Sequence, residues 1–169
     1  MAAGDVTLSR GASAALTISL ASLASSATWV AGRESTAIAT ADPTIDYLLA
    51  GTIMVGTTPT INTQIQIWVY GSFNDAPTYP DTIDGTDSAE TITSSGILQV
   101  GLALAAVILV DATTSDRPYY FAPRSIAALF GGVLPKTWGV FVAHNTGVNL
   151  NATGGNHVLS ATPVFAHVA

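Results

Sequence analysis

Residues 63–71, TQIQIWVYG, alternate between two kinds of side chain without a break. Successive side chains of an extended strand point to opposite faces, so Ile65, Ile67 and Val69 share one face. The opposite face carries Gln64, Gln66, Trp68 and Tyr70. This pattern predicts a strand with one face in a hydrophobic core, and it excludes a helix for this stretch.

The preceding segment, residues 45–56, is a second strand candidate with Ile45, Tyr47, Leu49, Ile53 and Val55 on one parity. The sequence GTTPTINT joins it to the first strand, and its Gly, Pro and Asn are typical of a hairpin-like turn. We therefore expect these two strands to form one hairpin.

The rest of the chain repeats the strand pattern. Further strands are predicted at residues 15–20, 28–32, 35–40, 97–110, 118–121, 137–144 and 157–168. One short helix is predicted at residues 124–130, where Ile126, Leu129 and Phe130 have helical spacing and Gly131 ends the pattern. Many short strands and little helix indicate an all-β protein, an antiparallel β-sandwich of which a jelly roll is one form. We expect an N-terminal strand or arm at residues 1–31 and one sandwich domain at residues 32–169.

The composition indicates an assembly component. Charged residues make up 9 % of the chain, against about 25 % in an ordinary soluble domain. A chain with so little charge covers its surface with hydroxyl groups or buries it against partners. The five basic residues are scattered and the net charge is −6, which excludes a broad nucleic-acid-binding face.

Two apolar segments resemble targeting or membrane signals. Residues 11–27 are rich in Ala, Ser and Leu, but Asp5 precedes them and Thr17 and Ser19 alternate with apolar residues, which favours a strand over a signal peptide. Residues 97–110 form an apolar run of 14 residues, and a membrane helix needs about 20. We interpret this run as a buried strand or strand pair and predict no membrane contact.

Acidic residues recur at every third position in the long segment 72–96. Asp81, Asp84, Asp87 and Glu90 lie around a glycine, and carboxylates in such a loop are the ligands that calcium prefers. Their spacing is not that of an EF-hand loop. The alternatives are an exposed, solvated acidic loop or a contact with basic residues of a partner.

The three histidines do not form a local motif. His144, His157 and His167 are far apart in sequence, and no Asp or Glu follows Asp116 to orient them. We therefore expect His144 to end one strand and His157 to begin the next, each with an exposed ring nitrogen. The sequence also lacks the GxSxG, HExxH and phosphate-loop patterns, so we predict no catalytic residues, no cofactor and no enzymatic activity.

Aromatic and arginine side chains near prolines are the candidates for contacts with a partner, because Tyr, Trp and Arg are enriched at protein interfaces. The candidates are Trp68, Tyr70, Tyr79, Tyr119, Tyr120, Arg117 and Arg124. The alternative is that the aromatic residues cap the sandwich core.

Several ordered phrases in residues 32–165 resemble a family of virion structural proteins of tailed bacteriophages and prophages. They are GRESTAI, TQIQIWVYGSFNDAPTYPDTIDGTDSAETIT, LFGGVLPKTWGVFVAHNTGVNLNATGGNHV and TPVF. The resemblance implies a capsid decoration, or cement, protein that is made in the host cytoplasm. It implies contacts with the major capsid protein and with its own copies, as a dimer or trimer, in the phage head. It implies no catalytic residues.

Two alternatives to head decoration stay open. One is a component of the tail, fibre or baseplate. The other is a carbohydrate-binding adhesion module, in which exposed Trp68 and Tyr70 stack on a sugar beside Gln64 and Gln66, aided by calcium at the acidic segment.

Overall fold

Two antiparallel sheets pack face to face in the computed structural model, which describes residues 4–168. Sheet A contains β1 (Val6–Arg10), β2 (Ala14–Ala15), β5 (Thr44–Met54), β9 (Pro118–Ser125) and β11 (Val158–Val168). Sheet B contains β3 (Ala31–Glu34), β4 (Ile38–Ala39), β6 (Thr63–Ser72), β7 (Ala89–Thr91), β8 (Ala103–Val110) and β10 (Thr137–His144). The helices are α1 (Ser95–Gly101), α2 (Ile126–Leu129) and a 3-10 turn, Gly154–Asn156.

The strand order is β1-β11-β5-β9 in sheet A, with β2 also paired to β11, and β7-β3-β10-β6-β8 in sheet B, with β4 paired to β10. The predicted all-β sandwich is confirmed. Helix α2 lies inside the predicted helical segment, where the Ser125 hydroxyl accepts a hydrogen bond from the Ala128 amide and Ile126 is fully buried.

The main core lies between the sheets and contains the residues that alternation placed there. Ile65, Ile67 and Val69 are fully buried, and Leu49 and Ile53 of sheet A face them. Leu16 and Leu20 from the segment between β2 and β3 complete this core. Residues 4–31 are thus paired and packed with the sandwich of their own chain; their exchange with another copy as an arm stays a prediction, and residues 1–3 lie outside the described residues.

The predicted hairpin of residues 45–56 and 63–71 is wrong. Strand β5 pairs with β9 and β11 in sheet A, whereas β6 pairs with β8 and β10 in sheet B. The connection between them crosses from one sheet to the other, because the buried faces of both strands meet across the same core. Alternation shows that a strand has a buried face, but it does not show which strand is its neighbour.

The strand or strand pair predicted at residues 97–110 is also wrong in its first half. Helix α1 begins after Ser94, whose hydroxyl accepts a hydrogen bond from the Ile97 amide, and only Ala103–Val110 is a strand. Leu98 of the helix is buried against the outer face of sheet B. A continuous apolar run has no period that would separate a helical turn from a strand, so the sequence pattern did not reveal the boundary.

Most of residues 72–102 add a third layer over the outer face of sheet B, whereas Ser72 and the edge strand β7 belong to the sheet itself. Ile83, Ile92, Leu98 and Leu102 from this covering segment pack on Trp68, Tyr70 and Phe141 of the sheet. The aromatic side chains on the Gln64 side of β6 are therefore part of a second hydrophobic core.

Candidate functional site

His144 is a structural residue. Its side chain is completely buried, its Nδ1 lies 3.0 Å from the Thr146 hydroxyl, and its Nε2 lies 3.0 Å from the Leu23 carbonyl oxygen. Because the carbonyl oxygen only accepts, Nε2 carries the proton and donates it to Leu23. Burial lowers the pKa of His144, against the raising effect of that hydrogen bond. The ring joins β10 to the N-terminal segment.

His157 holds a second junction. The Met54 amide donates to its Nδ1 at 3.3 Å, and its Nε2 donates to the Asn151 carbonyl at 2.8 Å. Burial lowers the pKa of this histidine as well. The prediction that both residues carry an exposed ring nitrogen is wrong, because each ring bonds one group of the loop between β10 and β11 and one backbone group of a distant segment.

His167 forms the one pairing of a histidine with a serine hydroxyl among the described contacts, since Ser9 Oγ lies 2.9 Å from its Nε2. The ring packs beside Phe165, with centroids 6.2 Å apart. A catalytic arrangement needs a group that orients the histidine, and no carboxylate hydrogen-bonds to a histidine within residues 4–168. The sequence did not predict the contact between Ser9 and His167, because only the pairing of β1 with β11 brings the two residues together.

The four acidic residues proposed for calcium are held apart by separate partners. Asp81 accepts from Thr93, Asp84 accepts from Thr86, Asp87 binds Arg33, and Glu90 accepts from Ser88. Within residues 4–168 no group of three or more His, Cys, Asp or Glu side chains is close enough to hold a metal ion. The calcium site is therefore not formed, because the acidic segment bends around its own hydroxyl and amide groups.

Glu34 fixes the acidic segment to sheet B, and the sequence reasoning missed it. This fully buried carboxylate accepts hydrogen bonds from the Asp84 amide at 3.2 Å and the Gly85 amide at 3.0 Å. The Ser88 hydroxyl adds a third at 3.2 Å. Burial raises the pKa of Glu34, and the backbone hydrogen bonds act in the opposite direction. A lone Glu in a short strand gave no signal of this role.

Asp87 connects the acidic segment to two other parts of the chain. One carboxylate oxygen lies 2.6 Å from Arg33 Nε, and the other accepts from the Ser19 hydroxyl at 2.6 Å. Burial opposes ionisation of Asp87, but the hydrogen bonds from Arg33 and Ser19 outweigh it and lower its pKa. The acidic segment is thus a folded cover with internal partners.

Most of the predicted partner-contact aromatics are interior residues. Trp68, Tyr70 and Tyr119 are buried at 6 %, 0 % and 8 % exposure. Tyr79 is half-buried, with its ring 4.9 Å from Tyr70 and its hydroxyl donating to Thr137. These side chains cap the two cores, as the alternative interpretation expected. Only Tyr120, at 72 % exposure, stands on the surface.

Tyr70 shows why an aromatic on the polar side of β6 is buried. Its hydroxyl donates to the Ser35 carbonyl at 2.6 Å, deep in sheet B. The ring crosses Gly139 so closely that a Cβ at that position would lie 2.2 Å from the Tyr70 oxygen. Burial raises the pKa of Tyr70 far above its usual range, the nearby Glu34 carboxylate adding to the effect.

Arg117 and Arg124, the two predicted basic contacts, lie at a cleft of about 420 Å³ between the edge strands β8 and β9. Arg117 Nη1 is 3.1 Å from Asp111 Oδ1, and its guanidinium lies over the Tyr119 ring, 5.2 Å from the centroid. Arg124 is exposed and forms no ion pair within residues 4–168. This cleft brings four of the predicted contact residues together, since Tyr119 and Tyr120 also line it, and the Arg124 cation forms no ion pair within the described residues.

Strand β8 forms one wall of this cleft and is an unprotected sheet edge. It pairs with β6 and, among the described strands, with no other. Leu104, Val107 and Leu109 are exposed on it at 42 %, 46 % and 54 %. The sequence of β8, ALAAVILV, has no charged residue. We call the cleft and this strand together the β8 edge site.

Protein-family models, curated proteins and solved structures were all compared with this chain, and none matches. Function is therefore inferred from the geometry of the chain and from the ordered phrases in residues 32–165. In the part of the chain that the structure describes, no helix is long and apolar enough to span a membrane.

Proposed function

We propose that the protein is a non-enzymatic structural component of a tailed-phage virion, a decoration protein that binds the major capsid protein through the β8 edge site. The observation that carries this proposal is the exposed, uncharged edge strand β8. The ordered phrases in residues 32–165 support the phage assignment, and the low charge of the chain supports a role inside an assembly.

The proposed mechanism is strand addition. An edge strand presents amide and carbonyl groups that a neighbouring extended chain can pair with, and most proteins protect such edges with charges, prolines or bulges. Strand β8 has a register irregularity opposite Ile67 and Trp68 but no charge or proline. A capsid segment paired along it would cover Leu104, Val107 and Leu109, and an acidic side chain of that segment would meet Arg124.

The contacts of the polar side chains support a non-enzymatic role. The histidines bind hydroxyl and backbone groups, and the acidic residues bind the chain's own Ser, Thr, Arg and amide groups. The carbohydrate-binding alternative requires exposed Trp68 and Tyr70 that stack on a sugar, and both residues are buried. A tail, fibre or baseplate component would use the same kind of edge contact. An experiment therefore has to decide whether the protein lies in the head or in the tail.

Immunogold labelling of intact particles tests the location. We expect label over the head of the particles. We also expect the protein to be synthesised in the cytoplasm of the phage-infected host before it joins the particle. Label confined to the tail or baseplate would overturn the decoration proposal in favour of that alternative.

A binding assay with purified heads that lack the protein tests the site. The change Val107→Lys places a charge in the middle of the β8 edge, so we expect a loss of binding by co-sedimentation. The control is Val133→Lys, which alters a valine with 61 % exposure in the loop before β10. Equal binding by both variants would exclude the β8 edge as the capsid contact.

A further inference from the structure

The outer face of sheet A is a continuous surface of small apolar and hydroxyl side chains. On β11, residues that alternate with the buried Leu159 and Ala161 point outward. Val158 is exposed, and Ser160, Thr162 and Val164 are half-buried. Directly opposite pairs lie on the same face of a sheet, so the register extends this surface to both neighbours of β11.

On β5 the outward residues paired with this row are Leu48, Ala50 and Thr52. On β1 they are Val6, Leu8 and Arg10, paired with Val168, Ala166 and Val164. Val6, Leu8 and Val168 are exposed at 65 %, 67 % and 74 %. We call these outward residues of β1, β5 and β11 the sheet A face.

The sheet A face contains one row with two opposite charges. Val164 of β11 pairs with Arg10 on one side and with Asp46 on the other, so the three residues lie side by side across the face. Arg10 forms no ion pair within residues 4–168. Asp46 accepts from the Tyr47 and Ala127 amides at 2.8 Å through Oδ1, and its Oδ2 accepts no hydrogen bond in the described residues.

We propose that the sheet A face is the contact between two copies of this chain, packed face to face about a twofold axis that runs along β11. Such an axis places β11 over β11 of the second copy and β1 over its β5. Arg10 then lies opposite Asp46 of the second copy, and Val164 lies opposite its own counterpart. The face is self-complementary because its positive and negative ends exchange places under this rotation.

Charge favours a second copy over an unrelated acidic or basic partner. The chain has a net charge of −6, so two copies repel unless their contact excludes the acidic residues. Asp81, Asp84 and Glu90 belong to the covering segment on sheet B and bond to groups of that segment, and Asp84 is also held through Glu34 of sheet B. The sheet A face has one Asp and one Arg, and its net charge is zero.

The area of the face is that of a reversible dimer. Strands β1, β5 and β11 contain 5, 11 and 11 residues. At about 3.3 Å per residue and about 4.8 Å between strands they cover roughly 430 Å². A standard stable interface uses about 800 Å² per partner, so we expect association that depends on protein concentration. This inference does not rest on the phage proposal, because a dimer forms in the purified protein without a capsid.

Sedimentation velocity of the full chain over a dilution series tests the dimer. We expect wild-type protein to pass from twice the mass of one chain to a single chain on dilution. The change Thr162→Asp places two like charges against each other near the axis, and Arg10→Glu places a carboxylate opposite Asp46. Each is expected to weaken the dimer by about tenfold or more, as for like-charge contacts at an interface.

Val133→Asp is the matched control for Thr162→Asp, since it introduces the same carboxylate at an exposed loop residue outside the sheet A face and outside the β8 edge site. We expect it to leave the dimer unchanged. A wild-type protein that stays a single chain at every concentration overturns the inference, and so does a dimer that both face variants leave intact. If wild type stays a single chain and the isolated capsid protein binds it but not Thr162→Asp, the face belongs to the capsid contact and the dimer proposal is wrong.

Discussion

The outer faces of the two sheets differ in what covers them. Sheet B is covered by residues 72–102, which bury Trp68, Tyr70 and Phe141 in a second core. Sheet A presents half-buried and exposed side chains, with Thr52, Ser160 and Thr162 among its apolar residues. The same alternating pattern is therefore covered by the chain itself on one sheet and stays open on the other.

The two faces also differ in chemistry. The covered face has large aromatic side chains that need a dry environment, and the segment over it is fastened by a buried carboxylate. The open face uses small and hydroxyl-bearing residues, which tolerate water when the face is free. A face of this composition can exist in both a monomer and a complex, whereas the covered face has no stable uncovered state.

The largest expected effect comes from removing a side chain of the covered face. Phe141 is fully buried, so Phe141→Ala should lower the free energy of unfolding by about 3–5 kcal/mol through lost burial and a residual cavity. The change Val158→Ala on the open face should lower it by less than about 1 kcal/mol. Urea denaturation of dilute protein measures both, and equal losses would contradict the contrast between the faces.

The second effect concerns the fastening of the cover. Glu34→Ala leaves the amides of Asp84 and Gly85 without their acceptor, and a buried unpaired donor costs about 1–3 kcal/mol. Hydrogen exchange should become faster at residues 81–93 while the strands of sheet A keep their protection. Glu34→Gln retains an acceptor oxygen and should give a smaller change. Unchanged exchange in the alanine variant would show that the cover does not depend on this carboxylate.

The third effect is a loss of stability in acid. The pKa of His144 and of His157 is lowered by burial in the folded protein. The unfolded chain therefore takes up protons first, so stability is complete above the ordinary histidine pKa of about 6.5 and falls as the pH drops through it. Protonation of His157 would also set an N–H against the Met54 amide.

Thermal melting at a series of pH values across that range measures this effect. His157→Gln should flatten the decline of the melting temperature below neutrality, because the variant has no ring to protonate at this position. Its melting temperature near pH 7 will be lower than that of wild type. The two curves should begin to converge at about pH 6.5. A wild-type melting temperature that is constant across the range would contradict the assignment of buried neutral rings.

The smallest expected effect is that of calcium. Asp81, Asp84, Asp87 and Glu90 have separate partners in the cover, so neither added calcium nor EDTA should change the melting temperature measurably. A clear rise with calcium would mean that the cover rearranges to bring these carboxylates together.

The sequence predicted the elements of the fold better than their arrangement. Alternation identified β6 and the inward set Ile65, Ile67 and Val69, and helical spacing identified α2. Pairing was not predictable, because the partner of β5 lies more than 100 residues away in β11. Helix α1 was not predicted, because its apolar residues, which pack on one side of sheet B, show no helical spacing within the apolar run of residues 97–110.

The candidate sites show the same division. Arg117, Arg124 and Tyr120 were expected at a surface, and the cleft between β8 and β9 brings the two arginines to one place. Trp68 and Tyr70 were candidates either for a partner contact or for capping the core, and they are interior because the covering segment returns over them. Glu34 and Ser9 gave no signal, because their partners come from segments distant in the chain.

The sequence by itself determined an all-β chain with amphipathic strands, a short helix and a surface poor in charge, because these follow from local periodicity and composition. Only the tertiary structure decided which apolar faces are internal. The covering of sheet B, the unpaired edge of β8 and the row of Arg10, Val164 and Asp46 all depend on contacts between residues far apart in the chain. A local pattern shows that a face must be covered, and the long-range packing decides whether the chain or a partner covers it.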